Sequence, residues 1–124
     1  MTSASVAGEV YVANSVGNNE SVMPLVAKQL KELYAHCTTD KGDMKVNLVS
    51  CVQQPDGSDC GLFASAFLFE WATASVLTSL SVRIAVSKMR PHLVQCLEMQ
   101  RVIPFPKLPA TRRGKVACVR KVMI

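Results

Sequence analysis

One turn-and-helix segment holds a glutamine and a cysteine at a spacing that suits nucleophilic catalysis. Cys60 follows the turn-forming residues 55–58 and precedes an apolar run, so we predict a helix with Cys60 in its first turn. Ser58 or Asp59 can cap that helix. The positive end of the helix dipole favours a thiolate, which is the nucleophilic form of cysteine. Gln54, six residues earlier, can donate an amide N–H to a developing oxyanion.

The glycine after the cysteine fits the same chemistry. Gly61 removes a side chain beside the sulfur, so a substrate backbone can approach closely. We also expect valine at position 61 to crowd both the substrate path and the packing of the helix. The pattern alone leaves an alternative open, because a single cysteine is commonly a buried and unreactive thiol.

The segment Gln54-x5-Cys60-Gly61, with Gly57-Ser58-Asp59 inside it and Phe63-Ala64 after it, resembles the catalytic segment of a peptidase family. The family is that of the ubiquitin-like-protein proteases, the SUMO- or sentrin-specific group of papain-like cysteine peptidases. The resemblance implies that Gln54 forms the oxyanion hole and that Cys60 attacks the carbonyl after a Gly-Gly sequence. It also implies a catalytic His and Asp earlier in the chain, in the order His, Asp, Gln, Cys.

The positions of the implied Asp and His depart from the family pattern. Asn14 follows a strand-like run and takes the position of the family's Asp. An asparagine can accept a hydrogen bond from an imidazole N–H but carries no charge, and a simple turn role fits Asn14 equally well. The family's His precedes this strand, whereas the two histidines of the chain, His36 and His92, both follow it. The resemblance therefore covers the C-terminal half of the peptidase domain, without the catalytic His.

The wider pattern predicts an α+β fold that alternates strands and helices. The predicted elements are a strand over 8–15, a helix over 21–36, a strand over 45–52, a helix from residue 60, a helix over 88–99 and an extended segment over 102–109. Residues 1–7 show no clear pattern. The resemblance implies that the fold is a partial papain-like peptidase fold. We expect one domain over 1–109, followed by a basic tail over 110–124.

Helix details follow from capping and periodicity. Ser21 is the expected cap of the first helix, and Pro24 is expected in its first turn, where a missing N–H costs little. In the last helix, we expect a shared buried face of Met89, Leu93, Cys96 and Leu97.

Composition narrows the class of protein. The chain has 124 residues, of which 49% are hydrophobic and 19% charged, which is typical of a globular domain rather than a disordered chain. The net charge of +5 is concentrated near the C-terminus, where a solvated tail is a better explanation than nucleic-acid binding. Glu70 and several hydroxyl residues interrupt the apolar run 61–80, which argues against a membrane span.

The number and spacing of the cysteines bear on the cellular compartment and on whether the chain has a zinc site. The five cysteines are widely spaced without a CxxC pair, so we expect neither a zinc site nor a cofactor. The N-terminus shows no secretory signal, and reduced thiols fit a cytoplasmic or nuclear protein.

These observations favour a cysteine-type peptidase that cleaves peptide or isopeptide bonds after Gly-Gly and is impaired by its missing His. The expected partner is SUMO, NEDD8 or ubiquitin, among which the sequence does not choose. The alternatives are a catalytically inactive module that binds a ubiquitin-like protein, and a truncated gene product.

Overall fold

The computed structural model describes residues 1–17, 21–55, 57–74, 83–108 and 119–124. Within these ranges the chain forms four strands and three α-helices. In chain order they are β1 (Thr2–Val6), β2 (Glu9–Ala13), α1 (Pro24–Leu33), β3 (Lys45–Val49), α2 (Cys60–Ala74), α3 (Val86–Met99) and β4 (Val119–Met123). A short 3₁₀ helix, Ala35–Cys37, follows α1.

The strands form one mixed sheet in the order β1-β2-β3-β4. β1 and β2 are an antiparallel hairpin, whose two-residue loop places Ala7 and Gly8 at φ 51° and 79°. Positive φ at both loop residues matches the twist of a hairpin. β3 pairs parallel with β2, and the connection between them carries α1. β4 pairs antiparallel with the other edge of β3.

The sheet lies between α1 on one face and α2 with α3 on the other. Successive strand residues point to opposite faces. Val10 and Val12 of β2 accordingly pack with Leu30 of α1, whereas Ala13 packs with Phe63 and its neighbours on α2. Two hydrophobic clusters result, one on each face, which explains why β3 is buried at four consecutive positions. The mixed α+β class predicted from the sequence is confirmed.

Two helical details differ from the prediction. Helix α1 spans Pro24–Leu33 and is shorter at both ends than the predicted 21–36; Pro24 lies in its first turn as expected, but the residue before it is Met23 in an extended conformation, and no side chain caps the helix. Ser21 is therefore not the cap. In α3, Met89 and Cys96 are buried as predicted, but Leu97 is 78% exposed and lies on the solvent side. The buried stripe of this 14-residue helix is narrower than the part of its surface that the four predicted residues cover.

The two ends of the chain contribute strands to the same sheet. Residues 2–6, for which the sequence shows no clear pattern, form β1, and the Thr2 hydroxyl donates to the Ala64 carbonyl of α2 at 2.7 Å. Residues 119–123 of the predicted basic tail form β4, with Val122 packed on the α1 side. Positions 110–118 of that tail lie outside the described residues, as do 75–82 after α2. No helix in the described ranges has the length and apolar character needed to cross a membrane.

We expect the packing of α2 on the sheet to dominate stability. Phe67 is 1% exposed, whereas its neighbour Leu68 on the same helix is 53% exposed. Phe67→Ala should lower the free energy of unfolding by about 3–5 kcal/mol, because it leaves a cavity in the core. Leu68→Ala, the matched control, should change it by less than about 1 kcal/mol. Urea unfolding followed by circular dichroism measures both, and equal losses would contradict this placement of α2.

Candidate functional site

The candidate site is built at one edge of the sheet by the parallel pairing of β2 and β3. Ala13 and Val49 are partners at the ends of the two strands. Because parallel strands run in the same direction, their carboxyl ends emerge together. Asn14 and Ser15 therefore lie beside the segment that runs from Cys51 to Gln54. Open sheets with such edges commonly bind their ligands there.

Ser15 and Gln54 are joined by two hydrogen bonds across this edge. The Ser15 hydroxyl donates to Gln54 Oε1 at 2.8 Å, and the Gln54 backbone N–H donates to the Ser15 carbonyl at 2.9 Å. Ser15 is only 2% exposed, and Gln54 is half-buried. With Oε1 accepting from the Ser15 hydroxyl, Nε2 is the hydrogen-bond donor end of the Gln54 amide. This is the polarity that an oxyanion donor requires.

Asn14 takes part in the edge mainly through its backbone. Its Oδ1 accepts a hydrogen bond from the Val16 N–H at 3.2 Å, which is an Asx turn. Its main-chain carbonyl accepts from Gln53 Nε2 at 3.1 Å and from the Cys51 thiol at 3.2 Å. The turn role considered for Asn14 is thus realised, and its side-chain oxygen already has a donor. The role as the partner of an imidazole stays a prediction.

Cys60 is the first residue of α2, and its side chain is exposed. The first helical hydrogen bond runs from the Phe63 N–H to the Asp59 carbonyl at 3.1 Å, so the thiol lies in the first turn as predicted. A Cβ built on Gly61 meets no atom within 4 Å. The expectation that a side chain at position 61 would crowd the packing of the helix is therefore wrong for its Cβ, because that side of the first turn is open; the expected crowding of the substrate path stays a prediction. The same open space leaves room for a substrate backbone.

Asp59 holds the start of α2 to α3. Its side chain is 8% exposed, and its Oδ1 lies 2.8 Å from an Nη atom of Arg90, whose side chain is 68% exposed. A carboxylate is rarely buried without a partner, and the guanidinium supplies one. Sequence reasoning considered Asp59 only as a cap and missed Arg90, since 31 residues separate the two positions.

The contacts that the two histidines make do not place either of them as the base of this site. Nε2 of His92 lies 3.2 Å from the Ile103 carbonyl and 3.4 Å from the Cys96 sulfur, and its ring packs on Phe105. His36 is exposed in the 3₁₀ helix after α1, with its ring edge-on to Tyr34. Both contact sets are structural.

The sequence predicted Gln54 and Cys60 but missed Ser15, Gln53 and Cys51 as members of this edge. Their signal is the pairing of two strand ends, which becomes visible only when β2 and β3 are known to be parallel. Among the described residues, no three His, Cys, Asp or Glu side chains come together in a group that could hold a metal ion.

Comparisons with known proteins leave the family of the chain open. No protein-family model, no curated protein and no solved structure matches it. The resemblance to ubiquitin-like-protein proteases therefore depends on the short sequence segment around Gln54 and Cys60 alone.

We expect Cys60 to be the first of the four described cysteines alkylated in the folded chain. It is exposed at the start of a helix, whereas Cys37 and Cys51 are half-buried and Cys96 is buried. Limited iodoacetamide treatment at neutral pH, followed by peptide mass spectrometry, measures the order. Faster labelling of Cys37, Cys51 or Cys96 in a folded sample would contradict the prediction.

Proposed function

We propose that the chain is a cysteine-type peptidase domain of the ubiquitin-like-protein protease kind, with a partial papain-like arrangement. Its reaction is hydrolysis of a peptide or isopeptide bond after a Gly-Gly sequence of SUMO, NEDD8 or ubiquitin. The observation that carries the proposal is the Ser15–Gln54 pair at the carboxyl edge of β2 and β3, followed after a turn by an exposed Cys60 at the start of α2. None of its four described cysteines forms a disulfide, which suits a cytoplasmic or nuclear location.

Each residue has a distinct part in the proposed reaction. The Cys60 thiolate adds to the carbonyl carbon after Gly-Gly, and the carbonyl oxygen becomes an oxyanion. Gln54 Nε2 donates to that oxyanion, and Ser15 holds the amide in the orientation that allows it. The intermediate then expels the amine, which must take up a proton to leave. Water afterwards hydrolyses the thioester and returns the thiol.

The proton-transfer steps limit the rate at which this chain hydrolyses an amide. An imidazole normally removes the thiol proton and protonates the leaving amine, and this help is typically worth about 10²–10⁴-fold. His92 is engaged with the Ile103 carbonyl, and His36 lies in the 3₁₀ helix after α1. We therefore expect weak amide hydrolysis by these 124 residues alone.

The positions of the two histidines also favour a second candidate function. A chain that keeps the edge and the open first turn of α2, but has no imidazole contact there, can bind the tail of a ubiquitin-like protein without cleaving it. Gly61 leaves the space that an extended Gly-Gly tail needs. Binding without turnover, abolished by a bulky residue at position 61, would identify this inactive module.

We expect the purified chain not to turn over amide substrates at a useful rate, because no group among the described residues is placed to protonate the amine. The assay uses SUMO and ubiquitin carrying C-terminal coumarin amides, with Cys60→Ala as the blank. Turnover clearly above that blank would overturn the expectation and would direct attention to His92 and His36.

We expect activated esters of the same proteins to acylate Cys60, because a phenolate leaves without a proton. Gln54→Ala should slow this acylation by about 10²–10³-fold through loss of the oxyanion donor. Ser15→Ala should slow it less, because the amide remains but loses its fixed orientation. Burst amplitudes and rates of phenolate release measure these effects.

Gln53→Ala is the matched control for the ester experiment. Gln53 is a neighbouring amide of the same edge, but its Nε2 donates to the Asn14 and Cys51 carbonyls. Its loss should leave the acylation rate within about threefold of the parent, because the substitution removes no contact to the oxyanion. Equal effects at positions 53 and 54 would argue against Gln54 as the oxyanion donor.

A further inference from the structure

The outer edge of β1 has main-chain groups that point away from the sheet. The loop between β1 and β2 has two residues, so Val6 and Glu9, which flank it, form a hydrogen-bonded pair. Bonded and non-bonded pairs alternate along antiparallel strands. Ala4 therefore also bonds to β2, whereas the N–H and C=O groups of Ser3 and Ser5 point outward. No turn, loop or side-chain hydrogen bond in the described ranges uses these outward groups.

The two edge strands of the sheet differ in charge. β4, at one edge, carries Arg120 and Lys121, and both are exposed. Charged side chains on an edge strand oppose its pairing with a like-charged strand of another chain. β1, at the other edge, has no charged residue and no proline among its five residues. β1 therefore lacks the features by which edge strands commonly avoid pairing with another chain, whereas β4 has them.

The pattern of β1 is complementary to a second copy of itself. A two-fold axis at Ala4, perpendicular to the sheet, places Ala4 opposite its counterpart in the second copy and Ser3 opposite Ser5. The Ser3–Ser5 pairs are then the hydrogen-bonded ones, because their main-chain groups point outward. Val6, which is 56% exposed, comes opposite Thr2 of the second copy and loses exposed apolar surface. Hydrogen bonding and apolar burial thus favour the same register.

We propose that β1 pairs antiparallel with β1 of a second copy of this chain, so that the two four-stranded sheets join into one continuous sheet. Both copies use the same surface, so the two-fold contact closes at the dimer. The cationic β4 strands form the two outer edges of the joined sheet, where their like charges oppose further addition. The dimer does not depend on the proposed peptidase function.

The contact is small, so we expect a reversible dimer with a dissociation constant on the order of 10–100 μM. Sedimentation velocity of the full chain under reducing conditions, between about 5 and about 500 μM, measures it. The mass should rise with concentration from the monomer to the dimer and no further, because both remaining edges are cationic.

Ser5→Pro tests the main-chain contact. It removes the outward N–H of residue 5 without removing a hydrogen bond to β2, and proline is tolerated at such positions of edge strands. Association should weaken at least about tenfold, because two hydrogen bonds of the dimer are lost. Ser5→Ala, the matched control, keeps the N–H and should associate within about twofold of the parent. Circular dichroism establishes that each variant is folded.

Cysteine crosslinking tests the register and also decides the proposal if Ser5→Pro unfolds. Ala4→Cys places the thiols of the two copies directly opposite each other, within reach of a disulfide. Ser5→Cys, the matched control, leaves its two thiols displaced by two residues along the strands, because Ser5 faces Ser3. After mild oxidation with diamide, peptide mass spectrometry should find the disulfide between the two residues 4 at least about tenfold more abundant than that between the two residues 5.

Any one of four results would overturn the proposal. The first is a parent chain that stays monomeric over the whole concentration range, and the second is a mass that grows beyond the dimer, which would indicate open-ended pairing of β1 with β4. The third is a folded Ser5→Pro chain that associates like the parent, and the fourth is equal crosslinking at positions 4 and 5. None of these measurements uses a ubiquitin-like substrate, so the dimer and the peptidase function fail or succeed separately.

Discussion

The parallel pairing of β2 with β3 is the constraint on which the rest of this structure depends. With Ala13 opposite Val49, both strands end at the same edge, and the segments that follow them must leave side by side. The backbone of Gln54 then bonds to the carbonyl of Ser15, and the two side chains meet. A shift of one residue in this register would carry Val10 and Val12 from the α1 face of the sheet to the α2 face, so the separate packing of the two faces fixes the position of the edge.

The three helices cover the sheet and fix the positions of Asp59 and Cys60. α1 covers one face of the sheet and makes the parallel connection possible, because such a crossover needs a long segment. α2 covers the other face with Phe63, Phe67 and Trp71, and this packing fixes where its first residue, Cys60, comes to lie. α3 is then close enough to reach Asp59 through Arg90. The packing of α2 on the sheet and the Asp59–Arg90 ion pair together fix the position of the first turn of α2, which carries the exposed Cys60.

For the proposed peptidase reaction, the described residues supply a supported oxyanion donor, but none of them is placed to transfer the protons. The Gln54 amide is oriented by a buried hydroxyl, which is the kind of support that keeps a catalytic donor within reach of its target. Asn14 uses its side-chain oxygen in a turn, and the two histidines make structural contacts elsewhere. The arrangement is therefore better suited to binding and to attack on activated carbonyls than to amide cleavage.

The sequence by itself determined the helices and strands that have strong local signals. It also identified Gln54 and Cys60 as the candidate site residues of one segment. Periodicity predicted α1, β3, α2 and α3, and the turn before an apolar run predicted a cysteine in the first turn of a helix, because these depend on neighbours within a few residues. Tertiary structure decided what depends on distant partners. β1 and β4 exist as strands because β2 and β3 offer them hydrogen-bonding edges. Ser15 joins Gln54 across 39 residues, and Asp59 joins Arg90 across 31, through strand pairing and helix packing that no local pattern encodes.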